Sequence, residues 1–168
     1  MDESSIVGVG LQQSRDDHRL NMGHMWLRWY DEDEGRFQYR GYYPVMEDLP
    51  DTHPSELREH LCFEVVRGCY KDDIEARIIE EEIDKNSYLV KCWDFSVEQH
   101  DKVLQYCRLP EGRSYVISGH YSCNEKITYA DNCSSWTIKT LVKAKDDDGF
   151  ITCDRPKRLK HVERAIWG

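Results

Sequence analysis

Two aromatic-rich runs, Gly23–Tyr30 (Gly-His-Met-Trp-Leu-Arg-Trp-Tyr) and Arg36–Tyr43, flank the acidic stretch Asp31-Glu32-Asp33-Glu34-Gly35. Aromatic side chains favour the pleated surface of a strand, and a short polar segment ending in glycine favours a turn, so the three pieces predict a β-hairpin. A lone hairpin is not stable in water, so the rest of the chain must supply more strands and a covering layer. The carboxylate-rich tip lacks the spaced ligands of a calcium loop and reads as a solvated turn.

The remaining pattern provides such elements. Ile6–Leu11, Leu61–Val66, Ser87–Phe95 and Ser114–Ser118 read as strands, while Glu75–Asp84 fits either a helix or an edge strand. Ser96-Val97-Glu98-Gln99 is a capping box, and Val97, His100, Leu104 and Cys107 fall on one face of a helix ending near Pro110. Asp131-Asn132 offers N-cap chemistry for a second helix from Cys133 to Lys145. Its inward face is Trp136, Thr137, Leu141 and Ala144, and Asp146-Asp147-Asp148-Gly149 stops it. Strands mixed with separate helices define the α+β class. The 168 residues carry no repeat and no low-complexity linker, which predicts a single domain, 1–168. Its core spans about residues 6–145, and a basic extension, 149–168, is solvated.

Charge and cysteine content narrow the partners. With 23 basic and 32 acidic residues the net charge is −9, which repels phosphate backbones and argues against nucleic acid as a ligand. No apolar run approaches the roughly 18 residues needed to span a bilayer, so no transmembrane segment is expected. Met1–Ser5 is acidic and Ile6–Leu11 is too short for a signal-peptide core, so classical secretion is not expected either. The seven cysteines are odd in number, irregularly spaced and free of any Cys-x-x-Cys, a pattern of reduced thiols in a cytoplasmic setting. No metal or other cofactor is expected. His53, His60 and Cys62, like His120 and Cys123, do not furnish the four ligands of a structural zinc site.

One cysteine stands apart. The nucleophile of thiol chemistry is the thiolate, and a helix N-terminus favours an anion because free N–H groups and the macrodipole point at it. Cys133 alone sits at a predicted helix start, and amides around Asn132 and Ser134 would hold an oxyanion there. Packing of the helix against the sheet is the competing role for this side chain. Histidine is the base best matched to neutral pH. His24 directly follows Gly23 at the start of an aromatic strand, and His120 in Gly119-His120-Tyr121 is the alternative base. His18, His53, His60 and His161 lie in polar loops or near termini.

Gly23-His24-Met25-Trp26-Leu27, Gly41-Tyr42-Tyr43-Pro44 and Asp131-Asn132-Cys133-Ser134-Ser135-Trp136 together resemble the circularly permuted papain-like cysteine hydrolases. That group includes NlpC-related amidases, lecithin:retinol acyltransferase-like proteins and PPPDE peptidases. The arrangement is most similar to bacterial toxin-type domains with a Gly-His strand and a late Asn-Cys helix start. The resemblance covers about residues 22–145 and implies an antiparallel sheet packed against a Cys-headed helix. By it Cys133 maps to the nucleophile and His24 to the base. The small polar third member usual on the returning strand is not evident in Arg40-Gly41-Tyr42-Tyr43-Pro44. If the hairpin centres on Asp33, Gln38, Arg40 and Tyr42 share the face of His24, and Gln38 or Tyr42 would orient the imidazole. A one-residue slip substitutes Tyr39, Gly41 and Tyr43.

These readings lead to a thiol hydrolase or acyltransferase acting on amide, isopeptide or ester bonds. The resemblance implies peptide, peptidoglycan or lipid-ester substrates. It also implies a bacterial effector toxin, delivered by a non-classical route and met by a target or immunity protein. The competing expectation is a catalytically inactive acidic interaction module, an inhibitor or adaptor that binds a basic partner.

Overall fold

The computed structural model describes residues 4–13, 23–45, 47, 65–82, 85–108, 113–116 and 130–168. In chain order the elements are β1 (Ser4–Gln12), β2 (His24–Asp31), β3 (Arg36–Pro44), β4 (Val66–Asp72), α1 (Ile74–Glu82), a 3-10 turn (Lys85–Ser87), β5 (Leu89–Ser96), α2 (Val97–Cys107), β6 (Arg113–Tyr115), α3 (Cys133–Lys145) and α4 (Leu159–Trp167). The strands form one six-stranded sheet in the order β5-β1-β2-β3-β4-β6. All neighbouring pairs are antiparallel. The fold is therefore α+β, as the element pattern predicts.

Strand alternation sorts the side chains into two layers. On one face Val7, Val9, Leu11, Met25, Leu27, Trp29 and Phe95 meet Val103 of α2 and Ile138, Leu141 and Ala144 of α3 in the main core. On the other face Trp26 and Tyr39 pack against Ala76 and Ile79 of α1. The aromatic residues beside His24 thus mostly fill core: Trp26 and Trp29 are buried, while Tyr30 is exposed. Asp31 at the hairpin tip accepts hydrogen bonds from the backbone N–H groups of Asp33 and Glu34, a solvated turn.

Several expectations need correction. The undecided segment is a helix, Ile74–Glu82, because Ala76 and Ile79 fall on one helical face. The strand expected at 61–66 begins at Val66 and runs to Asp72; residues 61–64 lie outside the described residues. In α2 the buried residue is Val103, whereas Val97 is exposed. The core does not stop near residue 145: Ile151 and Val162 belong to it, with Ile166 and Trp167 packed against it. Within the C-terminal extension, Leu159–Trp167 is an amphipathic helix that buries Val162 and exposes Lys160 and Arg164, and not a solvated tail. Among the described residues no helix is long and apolar enough to cross a membrane.

Candidate functional site

Local chemistry sets α3 first. Asn132 is its N-cap, and its Oδ1 accepts from the Ser134 and Ser135 N–H groups while the Ser135 hydroxyl accepts from the Asn132 N–H. Asp131, one residue earlier, bridges to Tyr115, with Val116 donating to its carbonyl at 2.9 Å, so β6 fixes the entry to the helix. Cys133 is then the first helical residue, with 9 % of its surface exposed. At the other end Asp146 adopts a left-handed conformation (φ 54°) and closes the helix where the sequence predicts.

His24 is the first residue of β2, preceded by Gly23 at φ 81°, a conformation that glycine takes without strain. Its ring lies at the sheet's end, close enough to the Cys133 sulfur for the two groups to interact electrostatically. The structure therefore brings the two expected residues together across the length of the chain.

The group that orients His24 is Asp73, which the sequence reading missed. Asp73 Oδ2 lies 2.6 Å from His24 Nε2, and the carboxylate is wholly buried. It is placed by three ties: its N–H donates to the Tyr39 carbonyl at 2.9 Å, its Oδ1 accepts from the Ala76 N–H at 3.0 Å as the cap of α1, and Tyr43 Oη donates to Oδ1 at 2.5 Å. Gly41 makes room, since a Cβ there would collide with Asp73 Oδ2. Tyr43 Oη also stands 2.9 Å from His24 Nε2. A carboxylate only accepts, and the Tyr43 hydrogen is committed to it, so Nε2 carries the ring proton toward Asp73. Nδ1 is left for the sulfur.

The expected orienting residues lie elsewhere, and the register explains why. β2 and β3 pair Leu27 with Arg40 and Trp29 with Gln38, one residue out from a hairpin centred on Asp33. That slip turns Tyr39, Gly41 and Tyr43 to the face of His24 and sends Gln38 and Tyr42 to the other. Gln38 Nε2 donates to Glu34 at the hairpin tip, and the Tyr42 hydroxyl donates to the Ser114 carbonyl with its ring stacked on Trp136. Asn132 and Ser134 also differ from expectation. The Asn132 carboxamide is spent on the cap and on the Lys157 carbonyl, and it takes up the Ser134 N–H. Of the first-turn amides, the cap leaves the Cys133 N–H for an oxyanion. His120, His53, His60, Cys62 and Cys123 lie outside the described residues.

Electrostatics follow from this geometry. Burial alone would lower the His24 pKa, but the Asp73 charge and hydrogen bond, with those of the Cys133 sulfur, hold it well above its ordinary value of 6.5. Burial would raise Asp73, yet the His24 charge and the hydrogen bonds from His24, Tyr43 and Ala76 keep it below its usual 3.8. Burial, followed by the Asp73 charge, pushes the Tyr43 phenol up, so it stays a neutral donor. A carboxylate, an imidazole and a sulfur in line at a helix N-terminus can move a proton off the sulfur and return it to a leaving group. Comparisons with protein-family models, curated proteins and solved structures found no match.

Proposed function

We propose that this chain is a cysteine hydrolase in which Cys133 attacks the carbonyl of an amide, isopeptide or ester. The observation that carries the reading is the ordered contact Asp73–His24–Cys133, with the sulfur on the first residue of a capped helix. His24 takes the thiol proton at Nδ1 while Asp73 fixes the ring through Nε2. The sulfur bonds to the carbonyl carbon, and the His24 proton passes to the departing amine or alcohol as its bond to carbon breaks. Water then releases the acyl group, or a second amine or alcohol receives it in the transferase variant. The resemblance to permuted papain-like hydrolases supports peptide, peptidoglycan or lipid-ester substrates and an effector role.

Thiol labelling tests this. At about pH 6.5, where an ordinary thiol near pKa 8.5 is mostly protonated, Cys133 should react with iodoacetamide far faster than Cys69, Cys107 and Cys153. Burial pushes the Cys107 thiol up to about 12, which makes it an internal slow control. Cys92 is exposed and accepts a hydrogen bond from Arg28 Nη1 at 3.2 Å, so it labels independently of His24; the diagnostic comparison is His24→Ala, which should slow Cys133 and leave Cys92 unchanged. A Cys133 rate indifferent to His24→Ala would instead favour the acidic interaction module.

A further inference from the structure

We infer that the part of the sheet left bare beside α1 docks a basic amphipathic helix of a partner protein. This surface lies outside the proposed site and does not depend on the hydrolase reading. Strand register lays out three rows of side chains on the α1 side. One step past the Val7–Trp29 pair, Ile6 stands beside Tyr30, so Asp94, Ile6, Tyr30 and Phe37 form one row across four strands. Cys92, Gly8, Arg28 and Tyr39 form the next, and Val90, Gly10 and Trp26 the third. Helix α1 covers Trp26 and Tyr39. Ile6 (57 % exposed), Tyr30 (48 %), Phe37 (39 %) and Val90 (37 %) stay open, and Tyr30 meets Phe37 edge to face at 5.2 Å. Apolar side chains gathered on one surface mark a contact site, whereas scattered ones do not.

Charge identifies the occupant. The cation in these rows, Arg28, is already engaged: its Nε lies 2.9 Å from Glu80 Oε1, its Nη1 donates to Cys92 Sγ at 3.2 Å, and its guanidinium covers the Phe37 ring at 4.4 Å. Around the patch stand Asp94 at its β5 end, Glu32 and Asp33 at the hairpin tip beyond Tyr30 and Phe37, and Glu81 near Tyr39. None of these carboxylates is ion-paired among the described residues. An apolar centre inside an acidic rim selects a cationic occupant with an apolar stripe. A second copy fails on this ground, since it would set rim against rim in a chain of net charge −9. Shape favours a helix over an added strand. The bare row runs from β5 to β3, about 14 Å at ordinary strand spacing, and one helix is about 10 Å across. On the edge strand β5, Val90 O already accepts from Trp167 Nε1 at 3.4 Å and Asp94 O from Lys145 Nζ at 2.7 Å, which blunts strand addition. Tyr30 stands about 20 Å along β2 from His24, so the occupant leaves Cys133 open.

The probe is a synthetic amphipathic helix of leucine and lysine, about 18 residues long so that it is helical, titrated into the isotope-labelled full chain. A matched peptide with glutamate in place of lysine is the control. The lysine peptide should bind one to one, shift the NMR resonances of Ile6, Tyr30, Phe37 and Val90, and weaken as salt is raised. Ile6→Ser combined with Tyr30→Ser, both at exposed positions, should weaken it about tenfold. The footprint is read on the wild type, so it decides the matter even if the double replacement does not fold. Shifts confined to other surfaces overturn the inference, as does equal binding of the glutamate peptide or undiminished binding to the folded double replacement. Dimerisation of the protein alone, seen by sedimentation and by resonances of these same residues that move on dilution, overturns the choice of partner.

Discussion

His24 and Asp73 form a buried pair whose stability has a defined pH window. The His24 pKa is raised, so its contribution is complete below the ordinary 6.5 and disappears as pH climbs through the raised value. The Asp73 pKa is depressed, so its contribution is complete above 3.8 and disappears as pH falls through the lowered value. The stability difference between the wild type and Asp73→Asn should therefore be largest between those limits, about 2 kcal/mol for charge-assisted hydrogen bonds, and shrink on both sides. Urea unfolding at several pH values checks this, and a difference flat across pH would contradict it. His24 and Cys133 are legible in the sequence because each sits beside a local signal, Gly23 before one and the Asn132 cap before the other. Asp73 is not. It lies 49 positions from His24, and its role depends on capping a helix that the sequence pattern leaves open between two element types.

At the level of elements, the site depends on the β2–β3 register and on a small gap over β3. Gly41 faces Asp73 and the Tyr43 ring, and any Cβ there meets both. Gly41→Ala should cost about 1–3 kcal/mol in the overpacked layer and displace Asp73 from His24. Cys133 alkylation near neutral pH should fall toward the His24→Ala rate while the folded spectrum remains. Full reactivity in a folded Gly41→Ala protein would show that Asp73 does not need this placement. The hairpin itself is readable from its aromatic strands and acidic turn, but its register is not, because both alternatives bury aromatic residues on each face. Helix α3 is readable to the residue, since its cap and left-handed stop are local chemistry.

Across the whole molecule, the sheet divides two helical layers, and the site forms where they meet its end. Helix α1 delivers Asp73 from one layer and α3 delivers Cys133 from the other, with His24 on the strand between. Composition gives no access to this arrangement; it follows from antiparallel order β1-β2-β3-β4 and from two helix starts converging on one strand terminus. The C-terminal helix was likewise unreadable from charge, because its basic residues mask the stripe of Val162, Ile166 and Trp167 that packs on the core. The ring of His24 reports on the convergence of all three elements, and its NMR titration is the decisive measurement. The midpoint should lie above 6.5, drop in Cys133→Ser and drop further in Asp73→Asn. A midpoint at or below 6.5, unmoved by either replacement, would mean that Asp73 and Cys133 do not act on this ring.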